Sequence, residues 1–331
     1  MGPMAKKAKQ DSDDGAPAKV TSHTVKLDAA QAAKLRAILA AKGWEARTVE
    51  HAAFAYKGPD VNVTHYASGK CVVAGKGTEE FVKFTLEPDV TGKAELGYEA
   101  ELNPEWFEDH AGLDESGKGD LFGPVVSACV IATGDMAREW ISLGIKDSKK
   151  LTDAKIAELD RAIRETPGVA VKTTFARMSK YNELHSRFGK NLNRLLAWGH
   201  ARVIENLLEL RPDCPRALSD QFANPRLIRS ALMERGRGIL LEQRTKAESD
   251  PAVAAASILA REAFVDWMDK QSQIIGFPIP RGASKAVKEA GARILQSQGR
   301  EGLKFLSKDH FKTSAEILAE SAENQGLPNF E

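Results

Sequence analysis

Gly112-Leu113-Asp114-Glu115-Ser116-Gly117-Lys118-Gly119-Asp120-Leu121-Phe122-Gly123-Pro124 is the stretch on which the reading of this chain turns. Two carboxylates end a short apolar strand, and a glycine-rich turn then presents a lysine. Gly112, four residues, Gly117 and Lys118 match the phosphate-loop pattern G-x-x-x-x-G-K, but Gly119 stands where a Ser or Thr hydroxyl should bind Mg²⁺. Such a loop also needs a helix whose N-terminus meets the phosphates, and here a β-rich run, 125–131, follows instead. Two acids inside the loop would repel phosphate. The competing reading is a carboxylate metal site. Hard divalent cations take oxygen ligands, and Mg²⁺ uses one or two carboxylates plus substrate phosphate. Two-metal hydrolysis of a phosphodiester needs acids from different elements converging on ions roughly 3.5–4 Å apart. An Asp-Glu pair alone is more often a cap or surface turn, so the flanking sequence decides.

Moving outward, Asp220 in Ser219-Asp220-Gln221-Phe222 ends a second strand-like run, and Glu248 in Thr245-Lys246-Ala247-Glu248 follows a third, before the small-residue helix that starts near Ala252. Strand-like runs over 111–114, 125–132, 169–175, 216–220 and 239–243 alternate with helical runs over 152–165, 191–210, 225–234 and 251–273. That order predicts an α/β domain, a mixed sheet covered by helices, with acids at several strand ends. Upstream, Asp28 caps a helix reaching Lys42 and stopped by Gly43, with Leu35 and Leu39 at helical spacing. Short strands over 53–56, 61–64 and 71–73, punctuated by Gly58-Pro59 and Ser68-Gly69, and a helix over 79–86 ended by Pro88 complete a small α+β module. The domain organisation expected is a tail over 1–21, a small domain over 22–91, a linker over 92–107 and a catalytic domain over 108–331.

The 331 residues suit about two domains, and 42% hydrophobic with 28% charged residues excludes global disorder. With Lys plus Arg 47 against Asp plus Glu 46, bulk charge cannot hold the chain to nucleic acid, so such a site must be a local patch. One run is locally basic, with eight Lys or Arg against three acids over 281–312; it reads equally as a solvated helix face or a phosphate-contacting flank. Cys71, Cys129 and Cys214 form no C-x-x-C pair, which argues against a zinc ribbon and fits a reducing, cytoplasmic setting. There is no apolar run of the ~18 residues that span a bilayer. His185, His200 and His310 lack metal-binding spacing and read as surface or satisfied core histidines. Ser257 in its alanine-rich helix reads as packing.

Taken together, the stretch from Asp114 to Ala132, Lys146-Asp147-Ser148-Lys149-Lys150-Leu151-Thr152, Asp220-Gln221-Phe222-Ala223 and Lys246-Ala247-Glu248 with Ala254-Ala255-Ala256-Ser257-Ile258 resemble the type 2 ribonucleases H. Within that group the turn Gly117-Lys118-Gly119, the helix beginning Asn191-Leu192-Asn193-Arg194 and the first domain, notably positions 66–80, resemble the ribonuclease HIII branch. The resemblance covers about residues 24–315. It implies a ribonuclease H-like sheet with flanking helices, preceded by a TATA-box-binding-protein-like substrate-binding domain. It further implies Mg²⁺- or Mn²⁺-dependent endonucleolytic cleavage of the RNA strand of RNA/DNA hybrids, leaving 5′-phosphate and 3′-hydroxyl ends.

Carried over, Asp114, Glu115 and Asp220 are the metal ligands, with Glu248 as the fourth acid and Asp250 or the Asn224 position as alternatives. The backbone of Gly117, Lys118 and Gly119, with Glu115, is expected to read the 2′-hydroxyl by which RNA is told from DNA, since glycines allow close backbone approach, and Ser116 is a further substrate-binding candidate. Ser148 and Lys149 are expected to meet phosphates, and Tyr56, Lys57, Lys70 and Lys76 to form a stacking and phosphate platform on the first domain. The expected partner is an RNA/DNA hybrid, with no membrane and a monomeric chain. Cleavage at a single ribonucleotide in DNA, or hybrid binding without cutting, are the alternatives.

Overall fold

The computed structural model describes residues 20–93, 99–224 and 226–324. Nearly all of the expected tail, residues 94–98 of the expected linker, and Pro225 lie outside them. The chain divides into two compact units, one reaching Leu102 and one built almost wholly from Asn103 onward.

In the first unit, β1 (Ser22–Lys26), α1 (Ala29–Ala41), β2 (Glu45–Arg47), β3 (Ala52–Lys57), β4 (Asn62–Tyr66) and β5 (Lys70–Ala74) are followed by α2 (Thr78–Phe81), a π-helical segment (Val82–Thr91) and α3 (Glu99–Leu102). The strands form one antiparallel sheet in the order β1-β5-β4-β3-β2. Asp28 caps α1 as expected: its carboxylate accepts from Gln31 N at 2.8 Å, and the Gln31 side chain accepts from Asp28 N at 3.0 Å. Leu35 and Leu39 then pack with Val63, Cys71, Val73 and Leu86 into a core on one face of the sheet. The unit departs from expectation in two places. The short edge strands β1 and β2 carry too few apolar residues to announce themselves. Nor does Pro88 end a helix; it lies inside the π-helical segment, which closes only at Gly92 with φ 68°. A proline ring crowds the carbonyl four residues back in an α-helix. The wider turn relieves that crowding and lets Val90 reach the core.

The second unit carries β6 (His110–Ser116), β7 (Val126–Ala132), α4 (Gly134–Ser142), α5 (Asp153–Glu165), β8 (Ala170–Phe175), α6 (Met178–Arg187), α7 (Leu192–Leu208), β9 (Arg216–Asp220), α8 (Arg226–Ala231), β10 (Leu240–Arg244), α9 (Pro251–Ile275), α10 (Lys285–Leu306) and α11 (Lys312–Asn324). The sheet order is β10-β9-β6-β7-β8. β6, β7 and β8 run antiparallel, while β6, β9 and β10 run parallel, giving the mixed α/β sheet expected. All five expected strands are present within one or two residues at either end. Two of the helices start on sequence-legible caps, Thr152 accepting from Lys155 N at 3.3 Å and Asn191 from Arg194 N at 3.2 Å. α8 is shorter than the run 225–234. The buried Glu205 carboxylate draws the backbone N–H groups of Met233, Arg235 and Gly236 to 2.8, 3.0 and 2.8 Å and turns the chain out of the helix.

Two helices sandwich the sheet. Ala111, Leu113, Cys129 and Ile131 pack against Ala197, Ala201 and Ile204 of α7. On the other face Gly112 meets the backbone of Ala252 in α9 so closely that any Cβ would collide with it. Among the described residues no helix is long and apolar enough to cross a membrane.

Candidate active site

Strand alternation builds the site. Successive side chains of a strand point to opposite faces, so the last residues of β6 divide between the two helices. Leu113 faces α7 and Gly112 faces α9. Asp114 therefore turns toward the α9 side and Glu115 toward the α7 side. β6 and β9 pair in parallel with Ala111 opposite Ala217, Gly112 opposite Leu218 and Leu113 opposite Ser219. One step further along the same register sets Asp114 beside Asp220 on neighbouring strand ends. Both line one cleft of about 410 Å³ with Glu115, Ser116, Gly117, Lys118, Gly119, Ser148, Lys149 and Arg261.

The three carboxylates sit in different fields. Burial pushes the Asp114 carboxyl up to about 8, helped by the charges of Glu115 and Asp220; the backbone N–H of Glu115, 2.8 Å from its Oδ1, and the Lys149 charge only partly offset this. Burial also acts on Glu115, but His200 and Lys118 outweigh it and hold its carboxyl below the usual glutamate value. His200 Nε2 lies 3.0 Å from Glu115 Oε2, and Lys118 Nζ lies 3.4 Å from Oε1. Asp220 Oδ1 accepts from Ala247 N at 3.4 Å, which ties it to the turn after β10.

Around these acids the backbone is shaped by neighbours. Gly117 has φ 85°, and a Cβ there would collide with Pro124 O, whereas nothing lies within 4 Å of one added at Gly119. The turn is thus pinned at Gly117 and open at Gly119. Asp120 Oδ1 accepts from Gly282 N at 2.6 Å. The fully buried Lys308 donates to the carbonyls of Asp120, at 2.7 Å, and Gly123. On the α9 side, Ser257 Oγ accepts from Ser148 N at 3.0 Å and donates to Ala254 O at 2.9 Å, so a side chain read as packing holds the Ser148-Lys149 turn against the cleft.

The remaining expected residues fall elsewhere. Glu248 is half-buried in the turn Ala247–Ser249 and is not among the residues lining the cleft. Asp250 caps α9, accepting from Ala252 N at 2.8 Å, and its two oxygens lie 3.0 and 3.1 Å from His110 Nε2, so it is committed to the fold. Asn224 is exposed, and its Oδ1 accepts from Arg226 N at 3.0 Å. In the first unit Tyr56 pairs with Val63 and packs against the core, so it departs from the expected surface platform. The opposite face of that sheet carries Lys26, Lys57, Lys70, Arg47, Thr64 and Tyr66, and Lys76 is exposed in the turn after β5. The basic run over 281–312 is largely neutralised within the chain: Arg281 pairs with Asp153 at 2.6 Å, Lys288 with Glu320 at 2.5 Å, and Lys308 is buried.

Sequence reasoning missed one cleft residue, Arg261, and one buried residue behind the cleft, His200. His200 recurs on the apolar stripe of α7 with Leu196 and Val203, a spacing that marks a buried polar side chain. Arg261 stands one turn beyond Ser257 on α9. Its Nη2 is 3.5 Å from Asp153, whose carboxylate is otherwise taken by Arg281, and its Nε is buried without a hydrogen-bond partner among the described residues.

The carboxylates of Asp114, Glu115 and Asp220 line one cleft, and oxygen donors of this kind suit a hard divalent cation. Among the described residues no three His, Cys, Asp or Glu side chains close on one point, so the cleft offers separated carboxylates rather than a closed cage.

Comparison with known proteins agrees. Residues 111–314 match the family model described as Ribonuclease HII. A Ribonuclease HIII of Protochlamydia amoebophila is 39% identical over 295 residues, covering 88% of this chain and 95% of the relative. The chain belongs to the ribonuclease HIII family. A second ribonuclease HIII, from Chlamydia caviae, is 41% identical over 278 residues, 83% of this chain and 90% of the relative. Among solved structures, Bst-RNase HIII in complex with Mn²⁺ superposes with a TM-score of 0.63 and 30% identity, covering 92% of this chain and all of that one. The family resemblance and the ribonuclease H-like sheet expected from sequence are borne out by these matches.

Proposed function

We propose that this chain is a metal-dependent endoribonuclease that hydrolyses the RNA strand of RNA/DNA hybrids, leaving 5′-phosphate and 3′-hydroxyl ends. The observation that carries it is the register that aligns Asp114 with Asp220 at the ends of β6 and β9, with Glu115 beside them and an open glycine turn across the cleft. Membership of the ribonuclease HIII family supports it. Asp114, Glu115 and Asp220 would hold Mg²⁺ or Mn²⁺, as the Mn²⁺ complex of the Bst relative suggests; Glu248 is the proposed fourth acid. Such ions, when bound, activate water and stabilise the leaving 3′-oxygen.

The chain's own residues do the rest. Ser148, Lys149 and Arg261 line the α9 side of the cleft and supply hydroxyl and cationic contacts for backbone phosphates. The backbone from Ser116 to Gly119, open at Gly119, approaches the ribose and reads the 2′-hydroxyl together with Glu115. In the first unit the TATA-box-binding-protein-like role falls to the open sheet face, which carries Lys26, Lys57, Lys70, Thr64 and Tyr66, with Arg47 paired to Glu45 at 3.4 Å on its edge. Tyr66 replaces Tyr56 as the stacking group. Three unpaired, buried cysteines fit a cytoplasmic setting.

Two 5′-labelled duplexes test this reading: an RNA strand on DNA, and a DNA strand with one ribonucleotide, each incubated with Mg²⁺, Mn²⁺ or EDTA. Metal-dependent cutting of the first, lost in Asp114→Asn by at least about 10³-fold, is expected. Binding without cutting, or full activity of Asp114→Asn, refutes it, and cutting at the single ribonucleotide moves the specificity toward the ribonuclease HII type.

A further inference from the structure

We infer that His200 is a positioning residue for Glu115: it fixes one carboxylate oxygen from inside the protein so that the other is presented to the metal and the substrate. This rests on the proposed role of Glu115. His200 is 1% exposed, and its Nε2 lies 3.0 Å from Glu115 Oε2. Its other nitrogen, Nδ1, is buried with no hydrogen-bond partner among the described residues, so the ring's one polar engagement is with Glu115. A buried histidine with one ring nitrogen unmatched is unfavourable for folding alone. Core packing would be served better by a leucine. The polar ring is explained by what it holds.

The geometry around Glu115 is asymmetric in a useful way. Its side chain is 11% exposed. Oε2 points into the protein at His200, whose ring meets Phe222 edge-on with centroids 5.2 Å apart. Both ring and carboxylate therefore have their rotamers confined by packing. Oε1 is the other oxygen, and among the described residues its hydrogen-bond partner is the Lys118 ammonium, at 3.4 Å, on a side chain that is 47% exposed. A long contact to a half-exposed lysine is readily displaced, while a short one to a buried ring is not. A divalent ion entering the cleft would thus exchange with Lys118 at Oε1 and leave the His200 contact in place. Strand register brings His200 to the carboxylate. Glu115 pairs with Ser127, and Gly199, the residue before His200, packs directly on the Ser127 hydroxyl. The glycine brings α7 close enough for the next residue to reach Glu115. Hydrogen bonds of this kind to metal-binding carboxylates typically set affinity by 10- to 100-fold.

The test uses the full chain. Mn²⁺ affinity is measured without substrate, by calorimetry and by the Mn²⁺ paramagnetic resonance signal, for the wild type, His200→Ala and His200→Gln. The glutamine amide nitrogen reaches roughly where Nε2 sits. His200→Ala should bind Mn²⁺ roughly 10- to 100-fold more weakly, and His200→Gln should recover most of the affinity. At saturating Mn²⁺, KM for the hybrid should be unchanged in both, with the deficit in kcat. Unaltered Mn²⁺ affinity in a folded His200→Ala overturns the inference, as does a His200→Gln no better than the alanine variant. Should the alanine variant fail to fold, ring ¹⁵N spectra of the wild type decide. A proton on Nε2, held with and without Mg²⁺, supports the inference, and an Nδ1–H tautomer, which leaves Nε2 nothing to donate to Glu115, overturns it. A wild type that neither binds Mn²⁺ nor cuts the hybrid overturns the proposed function as well, whereas one that does both beside an unimpaired His200→Ala overturns only the positioning role.

Discussion

At the residue scale, the glycine turn separates two uses of the same amino acid. Gly117 is there for the fold: its φ is 85°, and a Cβ would strike Pro124 O and come within 2.8 Å of the Phe264 ring. Gly119 faces open space. Gly117→Ala should therefore lower stability by at least about 1–3 kcal/mol, read as a shifted urea midpoint. Gly119→Ala should leave the midpoint nearly unmoved but raise KM for the hybrid, because its methyl would stand where the ribose approaches. Equal stability losses in the two variants would refute this division. The acids themselves were legible because Asp114, Glu115 and Asp220 each end an apolar run. His200 and Arg261 were not, since their roles depend on which face of α7 and α9 meets which strand, and helical spacing alone gives burial without naming the neighbour. Which of Tyr56 and Tyr66 shares a face with the lysines is hidden for a similar reason: alternation assigns the two to opposite faces only once the β3–β4 register is known.

At the scale of elements, the strands of the second unit could be read from sequence because buried strands are short apolar runs between turn residues. β1 and β2 could not, since these short edge strands are mostly exposed and are held by pairing with β5 and β3; nor could the long reach of the Val82–Thr91 segment, which tertiary burial rather than local propensity sustains. The basic run over 281–312 is the plainest case of composition misleading. Lys308 belongs to no charged face: burial pushes its ammonium down to about 7, and it braces the glycine turn through the carbonyls of Asp120 and Gly123. In the unfolded chain a lysine keeps its proton up to about 10.5. Between those values the unfolded state binds more protons than the native one, so native stability should rise with pH from about 7 toward 10. Below about 7 both states are protonated and the penalty is constant. Urea titrations of the wild type and Lys308→Met across that range should show the difference moving in favour of the wild type as pH rises. A pH-independent difference would remove Lys308 from the account.

At the scale of the whole molecule, a net charge of +1 leaves nucleic-acid affinity to local patches. The open sheet face of the first unit is one such patch. Replacing Lys26, Lys57 and Lys70 together with glutamate in the full chain should weaken hybrid binding and reduce its dependence on salt. Every lysine that neutralises a phosphate contributes about 0.9 to the slope of log K against log salt on duplex DNA, so the slope should flatten while kcat at saturating hybrid holds. An unchanged slope would show that this face does not meet the backbone. The cleft of the second unit has a different sensitivity, which follows from Asp114 and Glu115 being adjacent on a strand yet served by opposite helices. Their assignment depends on counting along β6. A single residue inserted or deleted between Ala111 and Leu113 would deliver each carboxylate to the other's surroundings, since a one-residue slip inverts every side chain beyond it. The catalytic strand thus behaves as a frame-dependent message: substitutions along it can be graded in effect, whereas a change in its length is all or nothing.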